Sequence, residues 1–177
     1  MIETAIFETT VGWCALAWHD AGIVGACLPQ ANERVLVACW EQLHPGAKAT
    51  RSLPTAAREM QAHLEGKRSA IDALVIDYTG VPEFHARVYV AARAIPSGET
   101  KTYGELANAL GSPGAARAVG QALGKNPFAP IVPCHRILAA GRKMGGFSAP
   151  GGLATKQRLM EIEGAWPIEN TSLAMFG

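Results

Sequence analysis

No aspartate or glutamate occurs between Leu106 and Met160, although seven cations, Arg117, Lys125, Arg136, Arg142, Lys143, Lys156 and Arg158, fall in that stretch. So one-sided a segment points to a polyanionic partner, with a solvated basic face as the plainer alternative. Cysteine is sparse and scattered. Cys14, Cys27, Cys39 and Cys134 form no Cys-x-x-Cys pair, which argues against a disulfide framework or a zinc knuckle and reads as reduced, intracellular thiols. No apolar run is long enough to cross a bilayer, and there is no low-complexity tract. The opening Met1-Ile2-Glu3-Thr4 lacks the basic and apolar regions of a secretory signal, so the expected location is cytoplasmic, away from membranes.

What is present is an ordinary globular composition over 177 residues, enough for one large or two small domains. The net charge of +1 is unevenly split. Residues 1–81 carry six Lys/Arg against nine Asp/Glu, and residues 82–177 carry ten against six. Only the second part is therefore suited to an anion such as nucleic acid. In the first part, Trp13 to Trp18 and Ile23 to Leu28 read as strands joined at Asp20-Ala21-Gly22, and Ala73 to Tyr78 as another. Helices are expected over Asn32 to Leu43 and from Pro54 to a stop at Gly66. His19, His44 and His63 stand alone here and read as surface or core histidines.

Thr79-Gly80-Val81 marks a boundary between units 1–80 and 81–177, because Pro82 opens a new helix whose buried stripe is Phe84, Val88, Ala92 and Ile95. Thr102-Tyr103-Gly104-Glu105 is a capping-box pattern, and the short helix it starts should end at Gly111. Ser112-Pro113 then caps a helix running to Leu123, with Gly124 as its stop. Two short helices at a tight turn make a helix-turn-helix. The second one, from Gly114 to Ala122, is nearly all small residues around the single long cation Arg117. Such a surface suits close approach to a nucleic-acid groove with one inserted side chain, or a close helix–helix contact.

The chemistry centres on Ile131-Val132-Pro133-Cys134-His135-Arg136-Ile137. A thiolate is the reactive form of cysteine, and basic or cationic neighbours make it cheaper to form. Asn126-Pro127, Pro130 and Pro133 make a stiff, turn-rich approach, while Gly145-Gly146 and Gly151-Gly152 bracket a loop able to close over a flat ligand. A helix from Ala154 to Glu163 places Glu161 and Glu163 at a C-terminus, where acids oppose the macrodipole. Their position suits orienting a histidine that serves a thiol as base.

From Phe84 to Gly164 the chain resembles the C-terminal domain of the O6-alkylguanine-DNA alkyltransferases, or methylated-DNA–protein-cysteine methyltransferases. The resemblance rests on Ile95-Pro96-x-Gly98, Thr102-Tyr103-Gly104, Gly114 to Gly120, Asn126-Pro127, Ile131 to Ile137, Gly151-Gly152-Leu153 and Glu163-Gly164. It implies an α+β protein, with an N-terminal ribonuclease-H-like α/β domain and a mainly helical C-terminal domain carrying the helix-turn-helix. It further implies a monomer that repairs duplex DNA, uses neither cofactor nor metal, and is associated with the nucleoid in a bacterium. The alkyl group of O6-alkylguanine, and of O4-alkylthymine if accepted, moves irreversibly to Cys134 after minor-groove binding and base flipping. By the same resemblance His135 is the water-linked base, Glu163 its orienter and Asn126 a support. Tyr103, Val132, Phe147 and Ser148 contact the substrate base. Tyr103, Gly104, Ser112, Ala115, Ala116, Arg117 and Arg136 contact DNA, with Arg117 filling the gap left by the flipped base.

Two points depart from the family pattern. Phe147 stands where a tyrosine is usual, and Ala149-Pro150 lengthens the loop before Gly151-Gly152. No cysteine cluster of the adaptive-response regulators precedes residue 80. Other readings of the same residues stay open. A cysteine hydrolase built on Cys134, His135 and Glu163 would need an oxyanion hole and would turn over repeatedly. A major-groove repressor would have only Arg117 and Gln121 to read bases. A sensor that binds alkylated guanine without removing the group lacks the acceptor cysteine, which this chain has.

Overall fold

In the computed structural model, which describes residues 1–166, the chain is an α+β protein. Residues 167–177 of the expected second unit lie outside the described residues. Strands β1 (Glu3–Thr9), β2 (Gly12–His19) and β3 (Gly22–Gln30) form an antiparallel meander, and the two-residue β4 (Lys48–Ala49) adds parallel to β1. β2 lies between β1 and β3 and is buried on both faces, so its run Cys14-Ala15-Leu16-Ala17 is apolar without alternation. Ala15 and Ala17 leave room for Leu36 and Trp40 of α1 (Glu33–Leu43), whose first turn is capped by the Asn32 side chain. Cys14 and Leu16 face the other way, into a core shared with Met60 of α2 (Thr55–Leu64) and with Val88, Tyr89 and Phe128 from beyond residue 80.

The segment after α2 differs from expectation. Ile71–Ala73 is a 3-10 turn, and between Leu74 and Tyr78 only Ile76 pairs, in one parallel bridge to Ile23 of β3. Val75 faces solvent, so the segment crosses the free edge of β3 without building a ladder along it. β3 also reaches forward: the Ala26 amide donates to the Pro127 carbonyl at 2.8 Å and ties the sheet to the loop before Cys134.

The remaining helices are α3 (Glu83–Arg93), α4 (Tyr103–Ala109), α5 (Ala116–Gly124) and α6 (Gly152–Ile162). The short strands β5 (Lys101–Thr102) and β6 (Ile137–Leu138) pair in parallel. The capping box forms as expected: Thr102 Oγ1 accepts from the Glu105 amide, and Glu105 accepts from the Thr102 amide. α5 starts three residues later than Pro113. Gly114 has a φ of +88°, a left-handed conformation that a right-handed helix cannot contain. Val119, Ala122 and Leu123 bury the inner face of α5, and the Tyr89 hydroxyl donates to the Ala122 carbonyl at 2.9 Å. The small residues of α5 therefore do serve a close helix contact, while Arg117 stays exposed on its outer face. Among the described residues no helix is long and apolar enough to cross a membrane.

The capping box fixes the start of α4 and with it the position of Tyr103. Thr102→Ala should lower the unfolding free energy by about 1 kcal/mol in urea denaturation, the usual effect of losing an N-cap.

Candidate active site

Cys134 opens a 3-10 turn, Cys134–Arg136, directly after Pro133, and its amide donates to the Val132 carbonyl at 2.9 Å. Asn126 braces this turn from the other side of the loop. Its Nδ2 donates to the Val132 carbonyl and its Oδ1 accepts from the Phe128 amide, each at 2.9 Å. The thiol borders a cavity of about 530 Å³. Tyr103, Asn126, Phe147 and Ser148 line that cavity too. Val132 does not: it is fully buried and contributes its carbonyl as the anchor of the turn.

The Tyr103 ring sits between Gly120 of α5 and Gly145 of the following loop, so near that a methyl group at either position would touch it. Burial, with the nearby Cys134 adding to it, pushes its phenol above the ordinary value, so Tyr103 remains a proton donor at neutral pH. Ser148 is exposed at the rim, 3.4 Å from the Gly124 carbonyl. Phe147 is half-buried and lies under the Lys156 ammonium, 5.8 Å from ring centre to nitrogen. Gly151, at φ +81°, begins α6 where any side chain would collide with Thr155 Oγ1.

Beside the thiol, the His135 ring is wholly buried. Its Nε2 lies 2.8 Å from Glu163 Oε1, and its Nδ1 has no hydrogen-bond partner among the described residues. Glu163 is also held by Arg136, whose Nε donates to Oε2 and Nη2 to Oε1, each at 2.9 Å. Burial opposes the Glu163 charge, but the hydrogen bonds from His135, His63 and Arg136 outweigh it and hold the carboxyl far below the usual range. An ionised carboxylate only accepts, so His135 must carry its proton on Nε2, which leaves the Nδ1 lone pair free. Burial lowers the proton affinity of His135 despite Glu163, and burial raises the Cys134 thiol against the Asn126 hydrogen bond and the Lys156 charge. At rest the pair is thus a neutral thiol and a neutral imidazole.

The structure corrects one DNA contact. Arg136 is only 1 % exposed, and its guanidinium is spent on Glu163, on the Ile95 carbonyl at 2.6 Å and on Asp72 at 3.6 Å. It ties the turn to the core and meets no solvent-borne phosphate. Lys156 is likewise buried, donating to the Ile137 and Met144 carbonyls at 2.6 Å each, and burial lowers its ammonium to about 8. The exposed cations of this stretch are Arg117, Lys125, Arg142, Lys143 and Arg158. Gly104, Ser112, Ala115 and Ala116 are all half-exposed on α4, α5 and the turn between them.

Four residues of the site come from unexpected places. His63 of α2 puts Nε2 2.9 Å from Glu163 Oε1, and Ala26, Cys27 and Leu28 of β3 line the cavity that Cys134 borders. A periodicity signal was available for two of the side chains. His63 shares the buried stripe of Ala57, Met60 and Leu64, and Lys156 falls with Leu159, Met160 and Glu163 at helical spacing. His63, His135 and Glu163 bring ligand atoms within 4.8 Å of one another, a donor set of the kind zinc uses. Arg136, however, occupies both carboxylate oxygens with a permanent positive charge, so the set fits a guanidinium and not a metal ion.

Residues 83–165 match the model of the 6-O-methylguanine DNA methyltransferase, DNA binding domain. A methylated-DNA–protein-cysteine methyltransferase of Mycolicibacterium paratuberculosis is 37% identical over 164 residues, covering 92% of this chain and 93% of that protein. The protein of the same name from Mycobacterium leprae is 43% identical over 177 residues and 99% of both chains. The chain belongs to the methylated-DNA–protein-cysteine methyltransferase family. Its fold is similar to the crystal structure of Mycobacterium tuberculosis OGT in complex with DNA, with a TM-score of 0.75, 33% identity, and coverage of 92% of this chain and 93% of that one. The family match encloses Cys134, the His135–Glu163 pair and the α4–α5 pair, but leaves out β3 and His63.

The buried ion pair dictates an acid-sensitive fold. Because the Glu163 carboxyl is depressed in the folded state, its stabilisation is complete above the unfolded-chain value and is lost as pH falls. The unfolding free energy should therefore decline from about pH 5 downward, and more shallowly in Glu163→Gln. At neutral pH Glu163→Gln should itself cost about 3–5 kcal/mol, since Arg136 is left buried and uncompensated. Urea titrations across pH would show this, and parallel slopes for both proteins would count against it.

Proposed function

We propose that this protein repairs duplex DNA by moving the alkyl group of O6-alkylguanine onto Cys134, once per protein molecule. The observation that carries the reading is a thiol bordering a base-sized cavity, next to an imidazole with one nitrogen unpartnered among the described residues and the other fixed by Glu163. Family membership supplies the substrate class. In the transfer, the thiol proton passes to His135 Nδ1, directly or through a water, and the sulfur attacks the alkyl carbon. The S–C bond forms as the C–O6 bond breaks, and the purine leaves as guanine after accepting a proton, for which the neutral Tyr103 phenol is placed on the cavity wall. A thioether is not readily hydrolysed, so the product is dead protein and no cofactor takes part.

Reaching O6 requires extrusion of the nucleotide from the stack. We read residues 81–177 as the DNA-binding and transfer domain, with α4 and α5 as a helix-turn-helix lying in the minor groove. Residues 1–80 we read as a ribonuclease-H-like domain. The exposed Arg117 fills the gap left by the flipped base, and Gly104, Ser112, Ala115 and Ala116 allow close approach to the backbone. The protein acts as a monomer in the cytoplasm, on the nucleoid if the cell is bacterial. Cys27 and Leu28 line the same cavity as the thiol.

Incubation with duplex DNA carrying O6-methylguanine should add one methyl group, mapped by peptide mass to Cys134 and absent in Cys134→Ala. Tight binding with no mass change would reject transfer and leave a sensor. Arg117→Ala should slow transfer from duplex DNA by at least about tenfold, in the range set by an unstacking penalty of a few kcal/mol. Its reaction with free O6-benzylguanine should be unchanged, and equal slowing of both would reject the finger role.

A further inference from the structure

We propose that His63 is a positioning residue for the transfer: by donating a second imidazole N–H to Glu163 Oε1, it holds that carboxylate and keeps His135 neutral, with Nδ1 open to the thiol proton. The inference rests on the alkyl-transfer reading above. Its footing is geometric. Oε1 is approached by His135 Nε2 at 2.8 Å, by His63 Nε2 at 2.9 Å and by Arg136 Nη2 at 2.9 Å. An anionic oxygen with no proton to give requires donors at all three positions. His63 therefore carries a proton on Nε2, and its Nδ1 lies 3.5 Å from the Ser69 hydroxyl.

A carboxylate paired with His135 alone would favour an imidazolium, which cannot take a proton from sulfur. Three donors share the negative charge here, and the pull on His135 is weaker for it. The charged and titratable groups around this point are Glu163 at the end of α6, Cys134, His135 and Arg136 on the 3-10 turn, and Asp72 facing Arg136 from the turn at 71–73. His63 itself arrives on α2, so a residue of the first sheet-bearing half reaches the base that serves Cys134.

The test compares transfer rates from O6-methylguanine duplex across pH for the wild type, His63→Gln and His63→Leu. Gln keeps an N–H where Nε2 lies, and Leu removes it. His63→Leu should shift the acid limb of the rate to higher pH, by about half to one unit for the loss of one hydrogen bond to a charged group. The deficit should be recovered by pH 8.5 or above (roughly, two units past the free imidazole value). His63→Gln should track the wild type. A uniform slowing of Leu at every pH, or a Leu profile superposed on wild type, overturns the proposal. Should His63→Leu not fold, ¹⁵N spectra of the wild-type imidazoles decide: His135 must be an Nε2–H tautomer and His63 must carry a proton on Nε2, and a His63 protonated only on Nδ1 overturns it. If the wild type itself transfers no methyl group, the alkyl-transfer reading fails and takes this inference with it. If the wild type transfers normally and only the His63 outcomes miss, the reading stands and the inference alone falls.

Discussion

The carboxylate of Glu163 is the point on which the rest of the site depends. It sits at the end of α6 with its side chain 1 % exposed, yet it meets residues from α2 and from the turn that begins at Cys134. A charge so buried is tolerated only when its hydrogen-bonding capacity is filled, and Arg136 fills most of it through two parallel bonds. Arg136 is fixed in turn by the Ile95 carbonyl after α3. One ion pair thus fastens α6, the end of α3 and the thiol-bearing turn together, and it leaves His135 a single allowed tautomer.

The electrostatics on the two sides of the thiol are opposed in a useful way. Burial raises the thiol and lowers the imidazole, so neither is charged before substrate arrives. A resting thiolate would be exposed to every electrophile and oxidant that entered the cavity. A neutral pair reacts only when an alkyl group is placed against the sulfur and the proton has somewhere to go. Lys156, held by two carbonyls and lowered to about 8, adds positive charge near the sulfur as the proton leaves. The Tyr103 phenol lines the same cavity as the thiol and keeps its proton at neutral pH.

Local signals in the sequence were read well where the cause is local. The capping box at Thr102, the hairpin at Asp20-Ala21-Gly22 and the helix expected from Asn32 to Leu43 depend on neighbours within a few residues, and each has formed. Cys134, His135 and Glu163 were legible through motif spacing. Long-range facts were not. Counting cations along 106–160 assigned Arg136 and Lys156 to a surface, because charge alone does not reveal a buried partner; Lys156 is paired with carbonyls and Arg136 with a carboxylate 27 positions away. His63 lies 100 positions from Glu163 and belongs to a half whose histidines looked isolated. Its place on the buried stripe of α2 was the available hint. Ala73 to Tyr78 had strand composition, but β-pairing needs an edge to run along, and only Ile76 found one. Gly114 delayed α5 because a left-handed residue outweighs a good Ser-Pro start.

The account stands on a covalent, single-use reaction at one sulfur. Its most direct test is the stoichiometry of methyl uptake with O6-methylguanine duplex in large excess, followed to completion. The account predicts a plateau at one methyl group per chain, with free guanine restored in an equal amount of DNA. Continued repair beyond one equivalent, with an unmodified Cys134, would contradict it and point instead to a hydrolytic site built on the same residues.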